Sequence, residues 1–164
     1  MTFTLRAPVL ADADELAALH VSTWQETYTE LLPEGYFDDG YLERRREMWT
    51  RMLGDPRDDL IVRVAEDEGR IIGFAVSGRP IGPLAAEAPR DRHLYMLYLA
   101  ADHHGGGAGQ ALIDGVLGDG PAMLWVAKEN PRAVAFYRRN GFEFDGVEEI
   151  DEGAPSITDA RMVR

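Results

Sequence analysis

The sequence has 164 residues, 45% of them hydrophobic, which suffices for one domain with a substantial core and argues against disorder. It contains no cysteine, which excludes disulfide bonds, thiolate zinc sites and a cysteine nucleophile. The net charge of −12 argues against nucleic-acid binding, and no apolar run approaches the roughly 18 residues of a membrane span.

The N-terminal residues alternate like a strand and lack the charged-then-apolar pattern of a signal peptide. Together with the absence of cysteine, this favours a soluble cytoplasmic protein without nucleic-acid or membrane partners. The acidic balance weakly favours a cationic partner, although an acidic surface also serves solubility alone.

In chain order, apolar periodicity and turn residues predict seven strands and four helices in a single domain covering residues 1–164. Asp12 followed by Glu15 predicts a capping box at the first helix, and residues 67–69 predict a hairpin turn. This order predicts an α/β protein with a mixed sheet and helices on both faces. The predicted strands are residues 2–6, 60–65, 70–77, 93–99, 122–126, 142–150 and 156–163, and the predicted helices are residues 12–28, 39–53, 106–117 and 131–140.

A glycine cluster lies between the strand at 93–99 and the helix that follows it. Unpaired N–H groups at a helix start attract anions, and glycine lets the backbone approach a phosphate, so this loop predicts a pyrophosphate site. The dinucleotide fingerprint fails because it needs glycine at Gln110 or at Leu112, and the Gly-Lys-Ser/Thr of a P-loop is absent. The alternative is a glycine-rich turn without a ligand. The loop consists of His104, Gly105, Gly106, Gly107, Ala108 and Gly109.

A second pattern begins where the strand at 122–126 ends. Asn130 has the residue type of a helix N-cap, and Pro131 suits the first turn. Phe136 and Tyr137 share a helix face, and Gly141 ends the helix. Asn130 as a simple cap and Tyr137 as a core aromatic remain open as alternatives, and Phe136 is assigned to the core.

The two patterns together resemble the GNAT superfamily of N-acetyltransferases. Gly107 and Gly109 match the glycines of the family's central motif, and His104 stands where the family has Arg or Gln. The resemblance implies a mostly antiparallel sheet with a splayed central strand pair, and acetyl-CoA as acyl donor. It further implies direct transfer to a primary amine, without a covalent enzyme intermediate. A non-catalytic CoA-binding or sensing module with the same fold is the alternative function.

The resemblance also implies roles for individual residues. Backbone at Leu97 and Leu99 would bind pantetheine, residues 104–109 the pyrophosphate, and Asn130 the middle of the cofactor. Tyr137 would contact the cofactor and protonate the departing thiolate. The adenosine phosphate would meet one or more of three arginines, among which the sequence does not choose: Arg132, Arg138 and Arg139.

The general base and the acceptor site rest on weaker patterns. His93 stands where relatives often have a carboxylate, and its ordinary pKa of about 6.5 suits a base, although a strand-end histidine explains it equally well. Glu26 is the second interpretation. Trp24 and Tyr28 would line the acceptor pocket or form a core stripe. We expect no metal, a small cationic amine or polyamine as acceptor, and compatibility with a homodimer.

Overall fold

The computed structural model describes residues 2–83 and 85–164. Within them the chain forms seven strands and four helices, as predicted. The strands are β1 (Thr4–Arg6), β2 (Ile61–Asp67), β3 (Arg70–Gly78), β4 (His93–Leu99), β5 (Met123–Ala127), β6 (Glu143–Ile150) and β7 (Thr158–Val163), and the helices are α1 (Ala13–Tyr28), α2 (Tyr41–Gly54), α3 (Ala108–Leu117) and α4 (Pro131–Arg139).

All seven strands belong to one sheet, in the order β1-β2-β3-β4-β5-β7-β6. Every neighbouring pair is antiparallel except β4 and β5, which are parallel. The last strand, β7, inserts between β5 and β6, so that Asp159 lies opposite Ala127 on one side and Glu149 on the other. The predicted mixed, mostly antiparallel sheet is confirmed.

Helices cover both faces of this sheet and divide the core in two. On one face α1 and α2 cover a cluster that includes Trp49 of α2 and Phe74 of β3, both fully buried. On the other face α3 and α4 pack with Leu112 and Phe142, also fully buried. Among the described residues, no helix combines the length and the apolar character needed to cross a bilayer.

The capping box predicted at the start of α1 is wrong. Asp12 occupies the N-cap position, but its side chain makes no capping hydrogen bond to α1. Its carboxylate instead pairs with Arg6 at 2.7 Å and accepts the N–H of Val9, also at 2.7 Å. The Glu15 carboxylate accepts the backbone N–H of Ile71 on β3 at 2.8 Å. Tertiary partners therefore occupy both side chains that the local pattern assigned to the cap.

A bulge in β4 changes which side chains face which half of the core. Leu94 pairs with Ser77 and Met96 pairs with the adjacent Val76, so Tyr95 is an extra residue in β4. Because side chains alternate across a strand, one extra residue reverses the alternation beyond it. Leu94 consequently packs on the α3 and α4 side, whereas Met96 and Tyr98 pack on the α1 and α2 side.

Candidate active site

The sheet opens between its two parallel strands. β4 and β5 pair only at His93 with Met123 and at Leu94 with Leu124, and they diverge beyond these residues. A cavity of about 550 Å³ fills the gap, lined by residues from both faces of the sheet. It therefore passes through the sheet, from the side of α3 and α4 to the side of α1.

The divergence leaves backbone groups of β4 without a strand partner. Ala100 donates its N–H to the Ile72 carbonyl, 2.8 Å away, on the β3 side. Because N–H directions alternate along a strand, those of Leu97 and Leu99 point into the gap, and both residues line the cavity. An extended molecule in the gap can therefore hydrogen-bond to β4 as an added strand would.

The glycine loop, residues 104–109, closes one end of the cavity. Gly105 and Gly107 have φ of +80° and +89°, and a Cβ built on either would meet no atom within 4 Å. The N–H groups at positions 105, 107, 109 and 110 find no backbone acceptor among the described residues. Because α3 begins at Ala108, these groups lie at a helix N-terminus, which attracts anions. Gly105, Gly107 and Gly109 line the cavity, whereas Gly106 and Ala108 do not.

His104 connects this loop to both walls of the gap. Its Nε2 lies 3.0 Å from the Leu99 carbonyl, and its Nδ1 lies 2.9 Å from a guanidinium nitrogen of Arg132. A guanidinium can only donate, so Nδ1 accepts and Nε2 carries the proton. His104 thus donates to β4 and accepts from α4.

The arginines of α4 differ in their position. Arg132 and Arg139 line the cavity, as His104 does. Arg138 does not line the cavity; its Nε is 4.0 Å from the Glu143 carboxylate, and its guanidinium lies over the Phe144 ring. Two of the three arginines left open by the sequence therefore border the gap.

Asn130 links α4 to α1. Its Oδ1 accepts the Ala133 N–H at 3.1 Å, which confirms the predicted N-cap. Its Nδ2 donates to the Tyr28 hydroxyl at 3.3 Å, and both residues line the cavity. The Asn130 side chain thus connects α4, on one face of the sheet, to α1 on the other.

Tyr137 lines the cavity, with 8% of its surface exposed. Its ring packs edge-on against Phe136 and Phe142, at centroid distances of 5.5 and 6.1 Å. Burial raises the pKa of Tyr137 well above its ordinary 10, and nearby Tyr98 and Tyr28 act in the same direction. The phenol therefore keeps its proton at neutral pH and can donate it into the cavity.

We call the part of the cavity on the α1 side the aromatic chamber. The Trp24 ring centroid lies 4.9 Å from that of Tyr28, and Trp24 stacks nearly parallel to Tyr36, 6.4 Å away and inclined by 5°. Two carboxylates complete the wall, one exposed and one half-buried. The aromatic chamber is lined by Trp24, Tyr28, Tyr36, Asp151 and Asp159.

Comparison with known proteins places this architecture in a family. The family model described as the acetyltransferase (GNAT) family matches residues 19–142. The chain belongs to the GNAT acetyltransferase family. It is 34% identical to the uncharacterized N-acetyltransferase Rv2669 of Mycobacterium tuberculosis, over 94% of this chain and 98% of the relative. It is 30% identical to the uncharacterized N-acetyltransferase YuaI of Bacillus subtilis, over 94% of each chain.

Solved structures support the fold of this GNAT protein. The PaiA N-acetyltransferase of Thermoplasma acidophilum, solved in complex with coenzyme A, superposes with a TM-score of 0.71 at 21% identity. The match covers 100% of this chain and 99% of that one. Family membership and these N-acetyltransferase relatives make the protein an acetyl-CoA-dependent N-acyltransferase.

Besides Gly106 and Ala108 of the glycine loop, the two candidate general bases predicted from the sequence lie outside the cavity lining. Glu26 is exposed on α1 and does not line the cavity. It lies two residues from both Trp24 and Tyr28, and residues two apart on a helix point to different faces. His93 lies where β4 and β5 are still paired, and its ring packs against Tyr95 at 4.2 Å. Burial lowers the pKa of His93 to about 4. The structure brings together the other predicted residues Trp24, Tyr28, Leu97, Leu99, His104, Gly105, Gly107, Gly109, Asn130 and Tyr137.

The sequence interpretation missed Tyr36, Asp151 and Asp159. Tyr36 lies in the connection between α1 and α2, and the two aspartates lie at the end of the chain, so no motif joins them. They meet only because β7 inserts beside β5 and brings its start to the end of α1. Among residues 2–83 and 85–164, no group of three His, Asp or Glu side chains has metal-binding geometry.

Proposed function

We propose that the protein transfers the acetyl group of acetyl-CoA directly to the primary amine of a small cationic acceptor. The observation that carries this proposal is the position of Tyr137. Tyr137, whose phenol keeps its proton, lines the same cavity as the anion-attracting loop and the aromatic chamber. A donor from one side and an acceptor from the other would meet at this hydroxyl.

The residues on the α3 side fit coenzyme A. Free amides at the start of α3 suit a pyrophosphate, and the open space above Gly105 and Gly107 lets it approach the backbone. Arg132 and Arg139 add positive charge for phosphate groups. Backbone at Leu97 and Leu99 would hold the pantetheine arm as an added strand, with Asn130 beside its middle.

When bound, acetyl-CoA supplies an acetyl thioester. An alkyl amine with an ordinary pKa near 10.4 must first lose a proton to become a nucleophile. Its nitrogen then bonds to the thioester carbon and the carbon–sulfur bond breaks. Tyr137 donates its hydroxyl proton to the departing sulfur and recovers a proton from the amide nitrogen. The sum is one acetylated amine, one free thiol and one proton released, without a covalent enzyme intermediate.

Thermal unfolding with coenzyme A tests the donor site. A ligand that binds only the folded state at 100 times its Kd adds about 2.7 kcal/mol to the unfolding free energy, so Tm should rise. Gly107→Val should abolish this rise, because it places a side chain where the phosphate approaches and strains a φ of +89°.

Gly82→Val is the matched control, since Gly82 has a φ of +81°, equally open surroundings and no place in the cavity. Acetyl transfer is then measured as thiol release with a panel of amines. No rise of Tm with millimolar coenzyme A in the native protein, together with no thiol release, would refute the proposal.

A further inference from the structure

Asp159 is a partly buried carboxylate without an ion-pair partner among the described residues. It lies on β7 opposite Ala127, is half-buried, and lines the aromatic chamber. Two residues along the same strand, Arg161 pairs with Asp145 of β6 at 2.7 Å. Asp159 has no comparable partner: among the described residues, no arginine or lysine forms an ion pair with it.

The charges that do face Asp159 are negative. They come from Glu129 in the connection between β5 and α4, Glu149 on β6, and Asp151 in the connection between β6 and β7. From α1 the group near it is the Tyr28 phenol, on which Asp159 acts electrostatically. A half-buried carboxylate among like charges is disfavoured unless a cation joins it. We infer that a bound ligand supplies this cation.

The side chains that line the aromatic chamber suit a small ammonium ion. Faces of Trp, Tyr and Phe attract cations, and Trp24, Tyr28 and Tyr36 surround this space. An alkyl chain can pack on these rings while its charged end reaches the carboxylate.

We propose that Asp159 binds the acceptor's ammonium group in the aromatic chamber and accepts the proton that the amine must lose. The proposal rests on the proposed function and assigns the substrate class of the same cavity, a primary alkyl ammonium. One N–H bond of the ammonium breaks and its proton moves to a carboxylate oxygen of Asp159. The freed nitrogen lone pair attacks the thioester, and Asp159 later releases the proton to water at the exposed mouth beside Asp151.

Burial, followed by the charges of Glu129, Asp151 and Glu149, raises the pKa of Asp159 above the ordinary 3.8. The raised pKa makes Asp159 a stronger base and reduces the difference between its pKa and that of the amine. Proton transfer from the ammonium to Asp159 is therefore less unfavourable. The ionised carboxylate is the form that acts, so kcat/KM should fall as pH drops through this raised pKa.

The test compares Asp159→Asn, Asp159→Glu and the control Glu149→Gln. Glu149 lies directly across from Asp159 but outside the cavity lining, so its substitution removes the same charge without touching the chamber. The acceptors are putrescine, n-butylamine and γ-aminobutyrate, with uncharged butyramide as a competitor. Coenzyme A binding by each variant is measured as a rise of Tm.

We expect Asp159→Asn to lower kcat/KM for putrescine and n-butylamine by about 100-fold and to flatten the acidic limb of its pH profile. Asp159→Glu should retain that limb, and Glu149→Gln should stay within about threefold of the native enzyme. All variants should keep the Tm rise with coenzyme A. Butyramide should compete weakly, because it carries no charge.

Two results overturn the assignment of Asp159 while leaving the proposed function intact: an unchanged kcat/KM in Asp159→Asn, and an equal loss in Glu149→Gln. Acylation of γ-aminobutyrate in preference to the two cationic amines would overturn both this assignment and the cationic acceptor of the proposed function. Failure of all three amines as acceptors, with coenzyme A still bound, also overturns the assignment. Loss of coenzyme A binding in the native protein would instead refute the proposed function.

Discussion

Replacing Tyr137 with phenylalanine isolates one hydroxyl group. The ring stays, so its edge contacts with Phe136 and Phe142 at 5.5 and 6.1 Å are preserved. The hydroxyl has no hydrogen-bond partner among the described residues, so its removal leaves no buried group unsatisfied and should change the unfolding free energy by less than about 1 kcal/mol.

The effect on catalysis should be much larger than the effect on stability. Loss of a positioned general acid costs about 100-fold in rate, which corresponds to about 2.7 kcal/mol in the activation barrier. We therefore expect kcat to fall by about 100-fold, with the Tm rise on coenzyme A binding unchanged. Single-turnover measurement of thiol release separates the chemical step from product release.

The matched control is Tyr41→Phe. Tyr41 is 6% exposed, slightly more buried than Tyr137, but it lies on α2 outside the cavity. Its hydroxyl accepts from Arg45 at 3.1 Å, so this variant should lose stability and keep its kcat. If Tyr137→Phe leaves the single-turnover rate unchanged, Tyr137 is a core aromatic and the assignment of the acid is refuted.

Two further predictions concern histidines. Burial, with a smaller contribution from Arg45, lowers the pKa of His20 from 6.5 to about 3, so the unfolded chain binds a proton below pH 6.5 that the folded chain does not. The unfolding free energy should therefore decrease as the pH is lowered, and His20 should account for about 2 kcal/mol of that decrease at pH 5. His20→Leu should remove this part of the decline in Tm. An equal decline of Tm in both proteins would contradict the prediction. Because neither His93 nor Glu26 lines the cavity, His93→Ala and Glu26→Gln should keep kcat/KM within about threefold, and a larger loss in either would return that residue to the list of bases.

Local signals in the sequence were sufficient for most elements. The turn at residues 67–69 was predicted from three residues, and Glu68 and Gly69 indeed have positive φ of 49° and 78°. The glycine loop and the Asn130 cap were likewise predicted from residues close together in the chain. Each of these features depends on neighbours in sequence.

Features that depend on distant partners were not predictable in this way. Asp12 and Glu15 have a capping pattern, yet Arg6 and the Ile71 N–H occupy their carboxylates instead. The splayed pair β4 and β5 was expected only from the family resemblance, since no periodicity encodes it. Asp159 reaches the cavity because the last strand inserts between two earlier ones, a topology that single-strand patterns do not specify.

The opening between β4 and β5 gives the cavity two mouths on opposite faces of the sheet. Arg132 and Arg139 border the space at one end, and Asp151 and Asp159 border it at the other. An anionic molecule and a cationic molecule are thus attracted to different entrances before either is inside. In the proposed reaction, the sheet would keep the anionic donor and the cationic acceptor on opposite faces, so neither would have to leave before the other arrives.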